Sequence, residues 1–316
     1  MDTEHSTAQC NPVLKRRSGE TCLPPDSVDR LVHAWNKAHP KRQIRVDATR
    51  KNGRLNGRSN GKQTQNAGNT HRKTWRLLRS AMRKEYKCET EYCMVKKMPG
   101  LTDTDKKPLL SYYRPELPKE WDAKPTTWLD SYNIEDVMHQ YEQAEPTFEF
   151  IGPTPIDFDS KDGFGKCILE ELCKLDLQAA MQRGKTKLGI IFNLDPHDQP
   201  GSHWVCGFID IPAKSAYYFD SYGYSPEKEI KVLLKRCYDQ GMEHVYFNDI
   251  RHQRKGSECG MYCLYVIICL LRGRPFDQIC NNVVRDDVMN SFRKILFAEE
   301  TTRQIEIDRA LPKICL

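Results

Sequence analysis

The chain has 316 residues, 29% charged and 39% hydrophobic, with a formal net charge of +6, enough material for one large soluble domain or two modest ones. No basic-then-apolar leader opens it, and the longest apolar run, "MYCLYVIICLL", is too short for a bilayer, so no signal peptide, membrane span or membrane partner is expected. Thirteen cysteines, an odd number without framework spacing, read as mostly reduced thiols of an intracellular protein.

In chain order, "TCLPPDSVDRLVHAWNKAHP" predicts a helix led in by Pro24 and Pro25 and capped by Asp26 or Ser27, with Val28, Leu31, Val32 and Trp35 on its apolar face. Residues 41–87 follow, with only Asp47 and Glu85 as acids among many Lys and Arg and a middle rich in Gly and Asn. That is the composition of a flexible basic arm, either a non-specific nucleic-acid contact or a solvated linker. Its end, "KTWRLLRSAMRKEY", predicts a second helix with Trp75, Leu78 and Met82 on one side. Cys10, Cys22, Cys88 and Cys93 lack the tight knuckle spacing of a zinc site and read as four reduced thiols in a small core. The Pro- and charge-dense stretch 96–125 sets a boundary between a helical, basic extension over 1–110 and a second domain over 125–316.

The second domain opens on a helix capped near Asp130 to Asn133, with Ile134, Val137, Met138 and Tyr141 inward. "FEFIGPTPIDF" reads as a strand and turn, and "LQAAMQRGK" as the close of a helix. "KLGIIFNLD", "HWVCGFIDI", "SAYYFDSYG" and "EHVYFNDI" read as strands, the last two separated by a helix running from Ser225 and Pro226 to Gly241. Then comes "RHQRKGSECGMYCLYVIICLLRG". A polar, flexible run of Lys255, Gly256, Ser257 and Glu258 ends in Cys259, which opens an almost wholly apolar helix. Mixed strands, a core helix and further helices make an α+β layout.

At a helix start Cys259 can face solvent, and the outward amides and the positive end of the dipole favour thiolate over thiol. A nucleophilic cysteine also needs a base, an orienter for that base and donors for an oxyanion. His203 begins one strand and Asp220 ends the next. Antiparallel pairing across the short turn "PAKS" would bring imidazole and carboxylate side by side. Gln253 lies across a loop that can fold its amide toward the same thiol. Taken singly, His203 is a surface residue, Asp220 a turn cap and Gln253 a solvated side chain. Their convergence points to catalysis.

"SHWVCGFID", "YYFDSYG" and "QRKGSECGMYCLYVI" together resemble the adenain and Ulp/SENP cysteine proteases, over roughly residues 125–297. The resemblance implies their fold, a mixed central sheet flanked by helices with the nucleophile at the N-terminus of a core helix. It implies His203 as general base, Asp220 as its orienter, Cys259 as nucleophile and Gln253 as oxyanion donor. "TWLDSYNIEDVM" is similar to the family's Trp-Leu motif, so Trp128 would join Trp204 in flanking the peptide before the scissile bond. Two indoles closing on a backbone leave room only for residues without side chains, which implies cleavage after Gly-Gly or Gly-X. The N-terminal third is more similar to virion maturation proteases of large DNA viruses. That implies a viral capsid or core precursor as polypeptide substrate, and a host-cytoplasm or virion setting. The same resemblance implies that DNA aids such enzymes, which favours the nucleic-acid role for residues 41–87. Alternatives are a SUMO- or ubiquitin-like deconjugase, a nucleic-acid-binding virion protein with a vestigial site, and an acyltransferase. No cofactor or metal is expected, and the oligomeric state is not legible.

Overall fold

In a computed structural model, residues 9–14, 21–45 and 62–300 are described. They fall into two compact units, one up to Glu116 and rejoined from Phe297, the other Leu117–Leu296.

The first unit is helical. Pro25, whose fixed φ suits a first turn, starts α1 (Pro25–Ala38), which follows Pro24 with no side-chain cap from Asp26 or Ser27. Val28, Leu31, Val32 and Trp35 are buried as the periodicity requires, and they share a core with Trp75, Leu78 and Met82 of α2 (Lys62–Tyr86). The second helix begins well before Lys73, inside the stretch read as a flexible arm. Extending a helix is cheaper than nucleating one, and Gln63, Gln65 and Ala67 are good helix formers, so α2 propagates backward from its packed end. The Gly/Asn-rich residues 46–61 of the arm lie outside the described residues. Thr90 caps α3 (Glu91–Lys96), its hydroxyl accepting from Cys93 N at 3.1 Å, and Thr102 with Asp105 forms a capping box on α4 (Asp103–Leu110).

The four cysteines of this unit are not reduced thiols: Cys10 pairs with Cys22 and Cys88 with Cys93. Spacing along the chain does not set distance in space, and the fold brings their Cα atoms to 5.3 and 5.4 Å, within bridging range. A third bridge joins Cys167 to Cys173 in the second unit. Glu91 is buried beside the first bridge. One of its oxygens accepts from Cys22 N at 2.9 Å, Thr21 Oγ1 at 3.1 Å and Tyr113 Oη at 3.4 Å. Burial outweighs these donors and pushes the carboxyl up to about 8.

The second unit carries α5 (Glu120–Ala123), α6 (Ser131–Ala144), β1 (Phe148–Pro155), α7 (Glu170–Cys173), α8 (Leu177–Gln182), β2 (Lys187–Asn193), β3 (Trp204–Asp210) and β4 (Ser215–Phe219). It continues through α9 (Lys228–Asp239), β5 (His244–Phe247), α10 (Cys259–Leu271), α11 (Phe276–Asn281), α12 (Asp286–Ser291) and α13 (Arg293–Leu296). The five strands form one mixed sheet in sequence order, β1–β2 and β4–β5 parallel, β2–β3 and β3–β4 antiparallel. Asp130 and Asn133 close a capping box that starts α6. Apolar all round, α10 is buried along its length and packs on β3. Among the described residues no helix is long and apolar enough to cross a membrane.

Candidate active site

Register brings the first two groups together. Cys206 of β3 faces Phe219 of β4, so His203, just before β3, and Asp220, just after β4, lie at the same end of the sheet. His203 Nε2 is 2.7 Å from Asp220 Oδ1. That carboxylate is buried and also accepts from the backbone N–H of Tyr222 at 2.9 Å and of Tyr224 at 3.3 Å. With Asp220 on Nε2, the opposite ring nitrogen is left for Cys259, whose side chain is near enough to act on the imidazole. Tyr222 tilts against the same ring, centroids 4.8 Å apart. Burial alone pulls His203 down. The hydrogen bond to Asp220, then the influence of the neighbouring Cys259 side chain, outweigh it and push the ring up to about 9.

Cys259 is the first residue of α10, but its side chain is covered, with 2% of the residue exposed, and does not face open solvent. The helix start still leaves its first amides without intrahelical acceptors. Gly260 allows the helix to approach its neighbours: a Cβ there would sit 3.1 Å from Leu129 Cβ and 3.3 Å from Trp204 Cδ1. The indole N–H of Trp204 donates to Leu129 O at 3.0 Å. The two tryptophans are thus placed differently. Trp204 is buried against α10, while Trp128 is 46% exposed on the segment entering α6.

Gln253 is fully buried on the loop before Cys259. Its Oε1 accepts from Ser221 Oγ at 2.6 Å and its Nε2 donates to Lys255 O at 2.6 Å, using one of two amide protons. The turn after Asp220 presses on this loop at Gly223. With φ of +78° and room for no side chain, a Cβ at Gly223 would lie 2.9 Å from Ile250 C.

Sequence reasoning missed what holds the loop. Asp286 Oδ2 accepts from Arg254 N at 3.0 Å and Lys255 N at 3.1 Å, and its other oxygen from Tyr262 Oη at 3.2 Å. Glu258, read as part of a flexible polar run, is 2% exposed and accepts from Arg293 Nε and Nη2 at 3.1 and 3.0 Å. Arg293 also lies 4.2 Å over the Trp121 ring. Asn290 Nδ2 donates to Glu258 Oε1 at 3.0 Å and to Pro125 O at 2.8 Å. These residues follow one another at helical spacing through α12 and α13, but nothing local in the sequence names their partners. Among the described residues no cluster of His, Cys, Asp and Glu is arranged to hold a metal ion.

A thiol at a helix start, an imidazole beside it and a buried carboxylate bonded to the imidazole are the parts of a cysteine-type peptidase. Residues 185–305 match the Ulp1 protease family, C-terminal catalytic domain. A mimivirus protein of Acanthamoeba polyphaga named as a thiol protease is 35% identical over 190 residues, 58% of this chain and 61% of the relative. A protein of African swine fever virus named as a SUMO-1 cysteine protease is 30% identical over 126 residues, 37% of this chain and 46% of the relative. The matched stretches span less than two thirds of either relative. The crystal structure of the African swine fever virus protease superposes with a TM-score of 0.55 at 22% identity, over 71% of this chain and 89% of that one, a likeness of fold.

Proposed function

We propose that the chain is a cysteine endopeptidase that cleaves after small residues such as Gly-Gly or Gly-X and processes viral capsid or core precursor proteins. The observation that carries this is His203 hydrogen-bonded to Asp220 at 2.7 Å, with Cys259 at the start of α10 close enough to act on the same ring. The Cys259 thiolate adds to the scissile carbonyl, and the His203 imidazolium passes its proton to the leaving amine as the acyl-enzyme forms. A water then gives up a proton to His203 and releases the acid. Asp220 holds the ring in the required tautomer. The Cys259 backbone N–H and the second amide proton of Gln253 receive the oxyanion. Trp128, exposed beside the helix start, walls the channel, and Trp204 beneath it fixes that wall through Leu129, which supports a demand for residues without side chains.

The test is hydrolysis of a Gly-Gly-X peptide library by the full chain and its variants. Cys259→Ala and His203→Ala should each abolish cleavage, and Gln253→Ala should raise the barrier by about 3 kcal/mol with little change in substrate affinity. Wild-type turnover by His203→Ala would overturn the assignment.

The name of the African swine fever virus relative favours a second reading, a deconjugase of SUMO-like tags. Faster release of a tag from a folded conjugate than cleavage of precursor peptides would select it. The basic arm, residues 41–87, is proposed as a non-specific nucleic-acid contact, supported by its charge and by exposed Lys73, Arg83 and Lys84 on α2. Duplex affinity that falls steeply with salt in the full chain, and not in one lacking residues 41–70, is the expected signature.

A further inference from the structure

Three cations stand on the loop that leads from β5 to Cys259. Arg251, Arg254 and Lys255 are exposed, and among the described residues none makes an ion pair. Arg251 is tied to the site by its guanidinium, whose Nε donates to Gln253 O at 2.9 Å, and Arg254 and Lys255 by their main chain. The Arg251 guanidinium lies 5.3 Å over the Tyr222 ring, which leans on His203. The Lys255 carbonyl accepts from the Gln253 amide at 2.6 Å and from Tyr222 Oη at 3.4 Å. The backbone amides of Arg254 and Lys255 are fastened to Asp286, so their main chain is fixed while their side chains extend into water.

The surrounding acids are already engaged. Asp286 is taken up by those amides and Tyr262, Asp287 pairs with Arg285, Glu258 with Arg293 and Asp220 with His203. Asp249, exposed just upstream, is the remaining carboxylate on this stretch and offsets one of the three cations. The loop that leads to Cys259 is therefore net positive, on a main chain already fixed before a ligand arrives.

We propose that Arg254 and Lys255, backed by Arg251, form a subsite for an acidic side chain of the polypeptide substrate, within a few residues of the scissile bond. This rests on the reading of Cys259 as the nucleophile of a peptidase. Cations at the mouth of a partly buried site draw in and hold an anionic segment, so the preference appears in KM and weakens with salt.

The test uses three Gly-Gly-centred peptides that differ only in flanking residues within three positions of the centre: neutral, glutamate-bearing and lysine-bearing. The full chain should process the glutamate peptide with kcat/KM about tenfold above its lysine twin, mostly through KM. In Arg254→Glu/Lys255→Glu that ratio should fall to one or invert. Anisotropy with the Cys259→Ala chain and the same labelled peptides should show the same order of affinities without turnover. Cleavage of all three at equal rates, or an unchanged ratio in the double variant, overturns the subsite and leaves the peptidase standing. Cleavage of none, with the glutamate peptide still bound preferentially, overturns the peptidase and upholds the acidic-segment surface. Equal binding of all three overturns it.

Discussion

The indole N–H of Trp204 donates to the carbonyl of Leu129 at 3.0 Å, so the residue after His203 holds in place the residue after Trp128. One bond thereby links the segment that carries His203 to the one that carries the exposed Trp128. Trp204→Phe keeps a ring and removes the donor. It should cost about 1 kcal/mol of stability by urea denaturation and raise KM for Gly-Gly-X peptides several-fold. An unchanged KM would detach the Trp128 segment from substrate binding.

Gly260 and Gly256 give a paired comparison. A methyl at Gly260 meets Leu129 and Trp204 at 3.1 and 3.3 Å, whereas one at Gly256 meets nothing within 4 Å. Overpacking of the first kind costs roughly 1–3 kcal/mol and shifts the helix start that positions Cys259. Gly260→Ala should lose at least about tenfold in kcat/KM, and Gly256→Ala should stay within about twofold of wild type.

His203 is raised to about 9, so its protonated form persists through neutral pH. Activity that needs the imidazolium should decline as pH rises through about 9. Asp220→Asn removes a raising cause, so it should move that limb to lower pH and cut the rate on the order of a hundredfold or more. The sign for stability is the same: a folded value above the unfolded 6.5 stabilises fully below about 6.5, and the contribution is lost as pH rises through about 9. Ring NMR titration with denaturation at several pH values measures both.

Glu91 provides a second window in the first unit. Burial raises it from 4.5 to about 8, so the folded state holds a proton that the unfolded chain releases. Its stabilising contribution is full below about 4.5 and is lost as pH rises toward 8, at no more than about 1.4 kcal/mol per pH unit. Glu91→Gln stays neutral at every pH, so it should flatten the decline between pH 5 and 8. A decline as steep as wild type would place the titration elsewhere.

Brief iodoacetamide treatment of the folded chain should label Cys259 ahead of Cys206, Cys237, Cys263 and Cys280, although all five are buried. Burial pushes Cys237 and Cys280 up to about 12 and Cys263 well above the usual thiol range, which starves them of thiolate, while Cys259 lies at the start of α10 with His203 nearby. His203→Ala should erase the preference in mass-spectrometric mapping. Faster labelling of Cys263 in the wild type would contradict it.

Much of the second unit is written locally. Alternation and apolar runs mark the strands, Asp130 and Asn133 announce a capped helix, and neighbouring antiparallel strands put His203 beside Asp220. What escaped depends on distances no window of sequence contains. Glu258 and Arg293 meet across 35 residues, so a polar run that looked solvated is the buried cap region of α10. Cys259 looked exposed because a helix start usually is, yet neighbouring residues cover it. The bridges of the first unit were missed for the same reason, since the spacing of Cys10 and Cys22 says nothing of where their Cα atoms end up.

The clamp formed by Asp286, Asn290 and Arg293 has a bearing on the birth of the molecule. Every group proposed to act on a peptide, from Trp128 to Cys259, leaves the ribosome before the residues that fasten the loop between them. A nascent chain halted after α10 would hold imidazole, carboxylate and thiol with Glu258 parted from Asn290 and Arg293 and the Gln253 loop untied from Asp286. The fastenings of the Gln253 loop and of the start of α10 therefore arrive last, with α12 and α13, after every group they hold in place.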